Sequence, residues 1–130
     1  MGTVREIEDL IMWQKARSMN KRIFELTGLP VFEYEYALRN QMRRSSGSIM
    51  DNIAEGFGRM GNKEFINFLL ISHGSLMEIR SQLNRCHDQG YISSVTHDEM
   101  LSLSREIGRM IYSMIQYLKK SEKSGQRYRR

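Results

Sequence analysis

At 130 residues, 40% of them hydrophobic, the chain is long enough for one domain with a real core and too apolar to be disordered. No apolar run approaches the roughly 18 residues of a membrane-spanning helix, so no membrane contact is expected. The net charge of +5 is localised: Lys119–Arg130 holds six basic residues and Glu122, leaving 14 basic and 14 acidic side chains in a neutral body.

The N-terminal "MGTVREIEDL" carries no apolar signal region, and Cys86 is the only cysteine, so no internal disulfide forms. Both points predict a reducing, cytoplasmic setting. Val and Thr are scarce, Pro30 is the only proline, and Ile, Leu and Met supply most of the apolar content, which is helix chemistry.

Taken in chain order, apolar residues step by three or four through four segments. The first runs from about Leu10 to Thr27, with Trp13, Ala16, Ile23 and Phe24 near one face; Gly28 and Pro30 stop it. The second runs from about Glu33 to Gly58, with Leu38, Met42, Ser45, Ile49 and Ile53 inward. The third runs from about Lys63 to Gln89, with Phe65, Leu69, Leu76, Ile79, Leu83 and Cys86 inward and Gly90 as its stop. The fourth runs from about Ser94 to Lys120, with Met100, Leu103, Ile107, Met110, Met114 and Leu118 inward and Ser93 or Ser94 as its cap. Four such helices joined by short loops predict an all-α, up-down-up-down antiparallel four-helix bundle over residues 1–120, followed by a short disordered, basic and mobile tail over 121–130.

Residues 56–61, "GFGRMG", fit G-x-G-x-x-G, the glycine fingerprint of dinucleotide sites. That fingerprint follows a strand and opens a helix. Here amphipathic helix ("SIMDNIAE") precedes it, so the glycines end the second helix. Gly58 or Gly61 is then expected in the left-handed conformation, with Asn62 capping the third helix and Glu64 favouring its dipole. A phosphate loop is absent too: Lys63 does not directly follow Gly61, and Glu64 stands where Ser or Thr is needed. No glutamate has histidine three residues later, and His73, His87 and His97 are spread too far along the chain for any two to share a helical turn. His87 and His97 are expected to be solvated, His73 half-buried, and Cys86 in the core. No catalytic, cofactor or metal residues are therefore assigned.

Arg44, Ser48, Asp51, Asn52, Glu55 and Arg59 recur every three or four residues on the second helix. Antiparallel pairing about Met60 brings Gly47 level with Gly74, each inside a small-residue patch ("SSGS", "SHGS"), and Arg43 or Arg44 level with Glu78. A polar cluster of Arg44, Ser48, Asn52, Glu55, Ser75 and Glu78 follows, with helix register or subunit contact as its expected job.

The stretches "QMRRSSGSIMDNIAEGFGR", "KEFINFLLISHGSLMEIRSQL" and "GYIS", with "MWQKA" in the first helix, resemble the four-helix-bundle proteins associated with intervening sequences in bacterial 23S ribosomal RNA genes, the S23-like ribosomal proteins. The resemblance covers about residues 9–120. It implies a bundle that assembles into a homopentamer, no established enzyme activity, and association with nucleic acid. Proline is frequent in that family where Met50 stands, so a proline kink is not expected here; alanine is common where Ser72 stands.

The resulting expectation is a non-enzymatic oligomeric adaptor contacting RNA or DNA. Its contacts would be Lys119, Lys120, Lys123, Arg127, Arg129 and Arg130, with Tyr117 and Tyr128 for stacking, and Arg39 and Arg43 as a second patch. The rival from another class is a protein-binding scaffold without nucleic-acid contact.

Overall fold

A computed structural model describes residues 4–123 of the chain. Four helices account for most of it: α1 (Ile11–Thr27), α2 (Tyr36–Phe57), α3 (Asn62–Asp88) and α4 (Ser94–Lys123). Single 3-10 turns, Ile7–Asp9 and Pro30–Phe32, precede α1 and α2. Each helix packs mainly on its neighbours in the chain, α2 on α3 most extensively, and α4 returns to α1 to close the ring. This is the all-α, up-down-up-down bundle that the apolar spacing predicts. Among the described residues no helix is long and apolar enough to cross a membrane.

The core lies along the bundle axis. Ala16, Met19 and Ile23 of α1 meet Met42, Ile49 and Ile53 of α2, Leu69, Leu76, Ile79 and Leu83 of α3, and Ile107, Ile111 and Leu118 of α4. On α4 the buried stripe is rotated from the expected one: Ile111 and Ile115 are buried, while Leu103, Met110 and Met114 are only partly so. The buried stripe includes Ser104, fully buried with its hydroxyl donating to the Leu101 carbonyl at 2.7 Å, a polar residue that interrupts the apolar pattern in the sequence. Phe24 is exposed rather than core-facing.

The ends of the helices differ from expectation in instructive ways. α2 starts at Tyr36, not near Glu33, because Pro30 opens a 3-10 turn that buries Phe32 edge-on against Tyr91, with ring centroids 5.4 Å apart. Tyr91 also donates its hydroxyl to the Glu35 carboxylate, which raises the phenol above its usual pKa. α2 is then one continuous helix through Met50. Neither Gly58 (φ −75°) nor Gly61 (φ −118°) is left-handed. Gly61 is the extended residue before α3, and Asn62 is not the cap but the buried first residue of the helix, donating to the Leu118 carbonyl at 3.4 Å. Among the described residues Gly90 alone has positive φ, +75°. There the Tyr91 amide bonds the Cys86 carbonyl at 2.8 Å and the Gly90 amide the His87 carbonyl at 3.0 Å, a Schellman end to α3. Ser93 then caps α4, accepting from the Thr96 amide at 3.1 Å. α4 runs on to Lys123, three residues past the expected boundary.

Cys86 is fully buried beside Met42, Sγ to Sδ 3.5 Å, and burial pushes its thiol from an ordinary 9.0 up to about 11. In the folded protein it is expected to react with Ellman's reagent at pH 8 only at the rate of unfolding, and within seconds in denaturant. Fast stoichiometric reaction of native protein would contradict its place in the core. Because the unfolded thiol ionises first as pH rises, this group removes stability between about pH 9 and 11.

Candidate functional site

Small polar residues line the α2–α3 seam. The Ser48 and Ser75 hydroxyls are 2.8 Å apart, and Asn52 Nδ2 donates to the Ser48 carbonyl (2.9 Å) and hydroxyl (3.0 Å). On either side of this pair along α3, Ser72 Oγ donates to the Ile49 carbonyl at 2.8 Å, and Gln82 Nε2 to Ser45 Oγ at 3.3 Å. These pairs set Gly47 level with Gly74, as the sequence register requires. Neither glycine makes the approach close, however. A Cβ on Gly74 would meet nothing within 4 Å, and one on Gly47 only Asn20 Nδ2 of α1 at 3.9 Å. The serines face the seam and the glycines do not.

Of the six expected cluster members, the structure brings together Ser48, Asn52 and Ser75. Glu55 turns outward to Arg59, one turn on, at 3.2 Å, a surface pair worth a few tenths of a kcal/mol, about 0.3–0.5. Arg44 and Glu78 are exposed and form no ion pair among the described residues. The seam thus holds neutral hydrogen-bonding groups, which fix register and offer no acid–base pair.

The expected second basic patch is tied down. Arg43 Nε donates to Thr27 Oγ1 at 2.9 Å, and its guanidinium lies 4.4 Å over the Phe24 ring. Thr27 in turn donates to the Ile23 carbonyl at 2.6 Å, so Arg43 finishes the C-terminus of α1. Arg39 is half-buried, 4.9 Å over the Tyr36 ring. Lys119 and Lys120 are exposed on the last turns of α4, and Lys123 ends that helix; Arg127, Arg129 and Arg130 lie outside the described residues.

Two arrangements escape a reading by sequence. His87 and His97 stack across the α3–α4 turn, ring centroids 4.5 Å apart, with His97 Nε2 2.9 Å from Asn84 Oδ1. They are 10 residues apart in sequence, and only the turn at Gly90 folds one over the other. Among the described residues no group of three or more His, Cys, Asp or Glu is placed to hold a metal ion.

The second is a groove of about 480 Å³ between α3 and α4. His73 and Arg80 border it from α3, and Arg105, Arg109, Tyr112 and Ser113 from α4. Leu76, Met77 and Gly108 supply apolar surface. Arg105, Arg109 and Tyr112 step by four and three along the exposed face of α4, a pattern visible in the sequence; Arg80 joins them only through the bundle register. His73 is exposed here, not half-buried.

Comparison with known proteins adds three findings. Residues 8–113 match the family model described as 23S rRNA-intervening sequence protein. The fold is similar to a crystal structure from Bacteroides thetaiotaomicron, a protein with unknown function from the S23 ribosomal protein family. That similarity has a TM-score of 0.75 at 26% identity, covering 81% of this chain and 98% of that one. No curated protein matches the chain.

Proposed function

Because the chain belongs to the 23S rRNA-intervening sequence protein family, we propose that it is a non-enzymatic, homo-oligomeric adaptor that associates with RNA. The observation that carries the reading is the cationic end of α4. Lys119 and Lys120 are exposed there without ion pairs among the described residues, in a segment whose remaining basic residues bring it to +5 over a neutral body. Phosphate contacts by such residues supply affinity that falls steeply with salt.

Self-association is supported by the outer face of α3, where Leu70 and Ile71 are 54% and 51% exposed around Gly74. Two half-exposed branched side chains one turn from an unobstructed glycine suit close packing of a second helix. Native mass spectrometry is expected to give one closed oligomer, a pentamer by the family resemblance, and Ile71→Glu is expected to shift it to monomer without loss of helical signal. A wild-type chain that is monomeric at micromolar concentration would contradict the assembly.

For RNA, the expected result is a steep fall of affinity with salt for the full chain, and a shallower log–log slope for a chain ending at Leu118. Equal slopes would remove the cationic end from the interface. Absence of any RNA binding, with one protein partner surviving nuclease treatment, would favour a protein-binding scaffold.

A further inference from the structure

We propose that the α3–α4 groove is a binding track for single-stranded RNA, with arginines on the phosphates and Tyr112 stacking on a base. The proposal rests on the RNA reading above and assigns it to residues outside the cationic end.

Charge is the first argument. Three guanidiniums, Arg80, Arg105 and Arg109, border one groove that no carboxylate lines among the described residues. Arg105 and Arg109 have no hydrogen bond or ion pair among those residues, and the contact of Arg80 is with Met77 Sδ at 3.9 Å. The nearest α4 carboxylate in sequence, Glu106, is drawn away to Lys15 of α1 at 3.1 Å. Unpaired guanidiniums are forked donors that match phosphate oxygens.

Shape is the second. A space of about 480 Å³ is within the range of small-ligand sites. Leu76, Met77 and Gly108 give it apolar surface, so it is a slot with charged edges rather than a charged plane. Tyr112 is 64% exposed at its border and offers a ring face. A cationic groove with an aromatic platform is the arrangement that holds single strands without base selection. An acidic peptide would use the arginines but leave the ring and the apolar slot idle.

Continuity is the third. Arg105, Arg109, Tyr112, Gln116 and Lys119 step by four, three, four and three along the exposed face of α4. The stripe spans roughly 21 Å at 1.5 Å per residue and joins the groove to the cationic end. One strand can therefore run from the slot to Lys119 and beyond.

The test measures anisotropy of a labelled 20-nucleotide oligo-uridine against salt, using the full chain, with native mass and circular dichroism recorded for every variant. The combined Arg80→Gln, Arg105→Gln and Arg109→Gln variant is expected to bind at least about tenfold more weakly and to lose about two units of salt slope, at about 0.7 per phosphate contact. Tyr112→Ala is expected to weaken binding about fivefold or more, while Tyr112→Phe keeps it, because stacking needs only the ring. A 4-thiouridine version of the oligonucleotide should crosslink wild-type protein on α3–α4 peptides bordering the groove. That map decides the matter if the arginine variant alters the oligomer: crosslinks elsewhere overturn the groove. If the arginine variant binds like wild type while truncation at Leu118 abolishes binding, the groove is wrong and the RNA reading stands. If the full chain binds no RNA even at low salt, both fall. If poly-glutamate displaces the RNA at equal charge and Tyr112→Ala has no effect, the groove takes acidic chains instead and the proposal is overturned.

Discussion

Replacing Gly56 by alanine is expected to lower the melting temperature, although alanine is the better helix former. Gly56 lies in the last turn of α2, buried where α3 begins. A Cβ there would sit 2.8 Å from Phe65 Cδ1, 2.9 Å from Phe68 Cβ and 3.3 Å from the Phe65 carbonyl oxygen. Phe65 is fully buried and packs edge-on against Phe57, ring centroids 6.3 Å apart, and Phe68 Cβ is fixed to the backbone; neither yields cheaply. Overpacking of this kind costs about 1–3 kcal/mol, against a propensity gain of about 1 kcal/mol. The net loss should be about 0–2 kcal/mol for alanine, towards the upper end because two of the contacts fall under 3.0 Å, and larger for valine, which adds bulk and lowers propensity. For a chain of this size each kcal/mol moves the melting point by about 3–5 °C. The contrast is Gly74→Ala, with open space around the new methyl, expected to raise the stability of the helix by about 0.5–1 kcal/mol. If the α3 face is the subunit contact, that same change loosens the oligomer while firming the chain. A Gly56→Ala protein that melts at or above wild type would show that α3 does not press on α2 there.

At Ser72 the two substitutions should diverge. Ser72 is fully buried between α2 and α3, its hydroxyl on the Ile49 carbonyl. That carbonyl already belongs to a helix, so Ser72→Ala loses one secondary hydrogen bond, about 0–1 kcal/mol. Ser72→Leu instead drives three extra carbons into the buried α2–α3 seam and is expected to cost about 3 kcal/mol or more, because the helices must part. Urea titrations of the pair check this; a leucine variant within about 1 kcal/mol of the alanine one would mean that the seam has slack.

Why these positions were only half legible follows from what a sequence encodes. Helix periodicity is local, so α1, α2 and α3 could be placed within a few residues, and the antiparallel register could be counted outward from Met60. Gly56 was visible as a glycine but not as a contact, because its partners, Phe65 and Phe68, lie beyond the turn. Read with its neighbours it looked like part of a helix end. Gly58 and Gly61 were expected to need a left-handed backbone, and the chain instead turns there with ordinary φ angles. The polar stripe of α2 was legible as a stripe, yet only the structure separates Ser48 and Asn52, which are in the seam, from Arg44 and Glu55, which are in solvent. The basic groove was hidden by bookkeeping of charge. A body with equal acids and bases reads as neutral, but pairing Glu106 with Lys15 on one side of α4 leaves Arg105 and Arg109 unpaired on another.

The ring of helices closes at its thinnest contact, α1 against α4, where Lys15–Glu106 and Arg22–Glu99 bridge the surface. Every other extensive helix–helix contact joins helices consecutive in the chain. A ribosome releasing this chain therefore hands each new helix a finished neighbour to bury against, at synthesis rates of about 5–20 residues per second. Only α1 waits with one flank open until α4 has emerged. Completion of the bundle is thus tied to the emergence of α4.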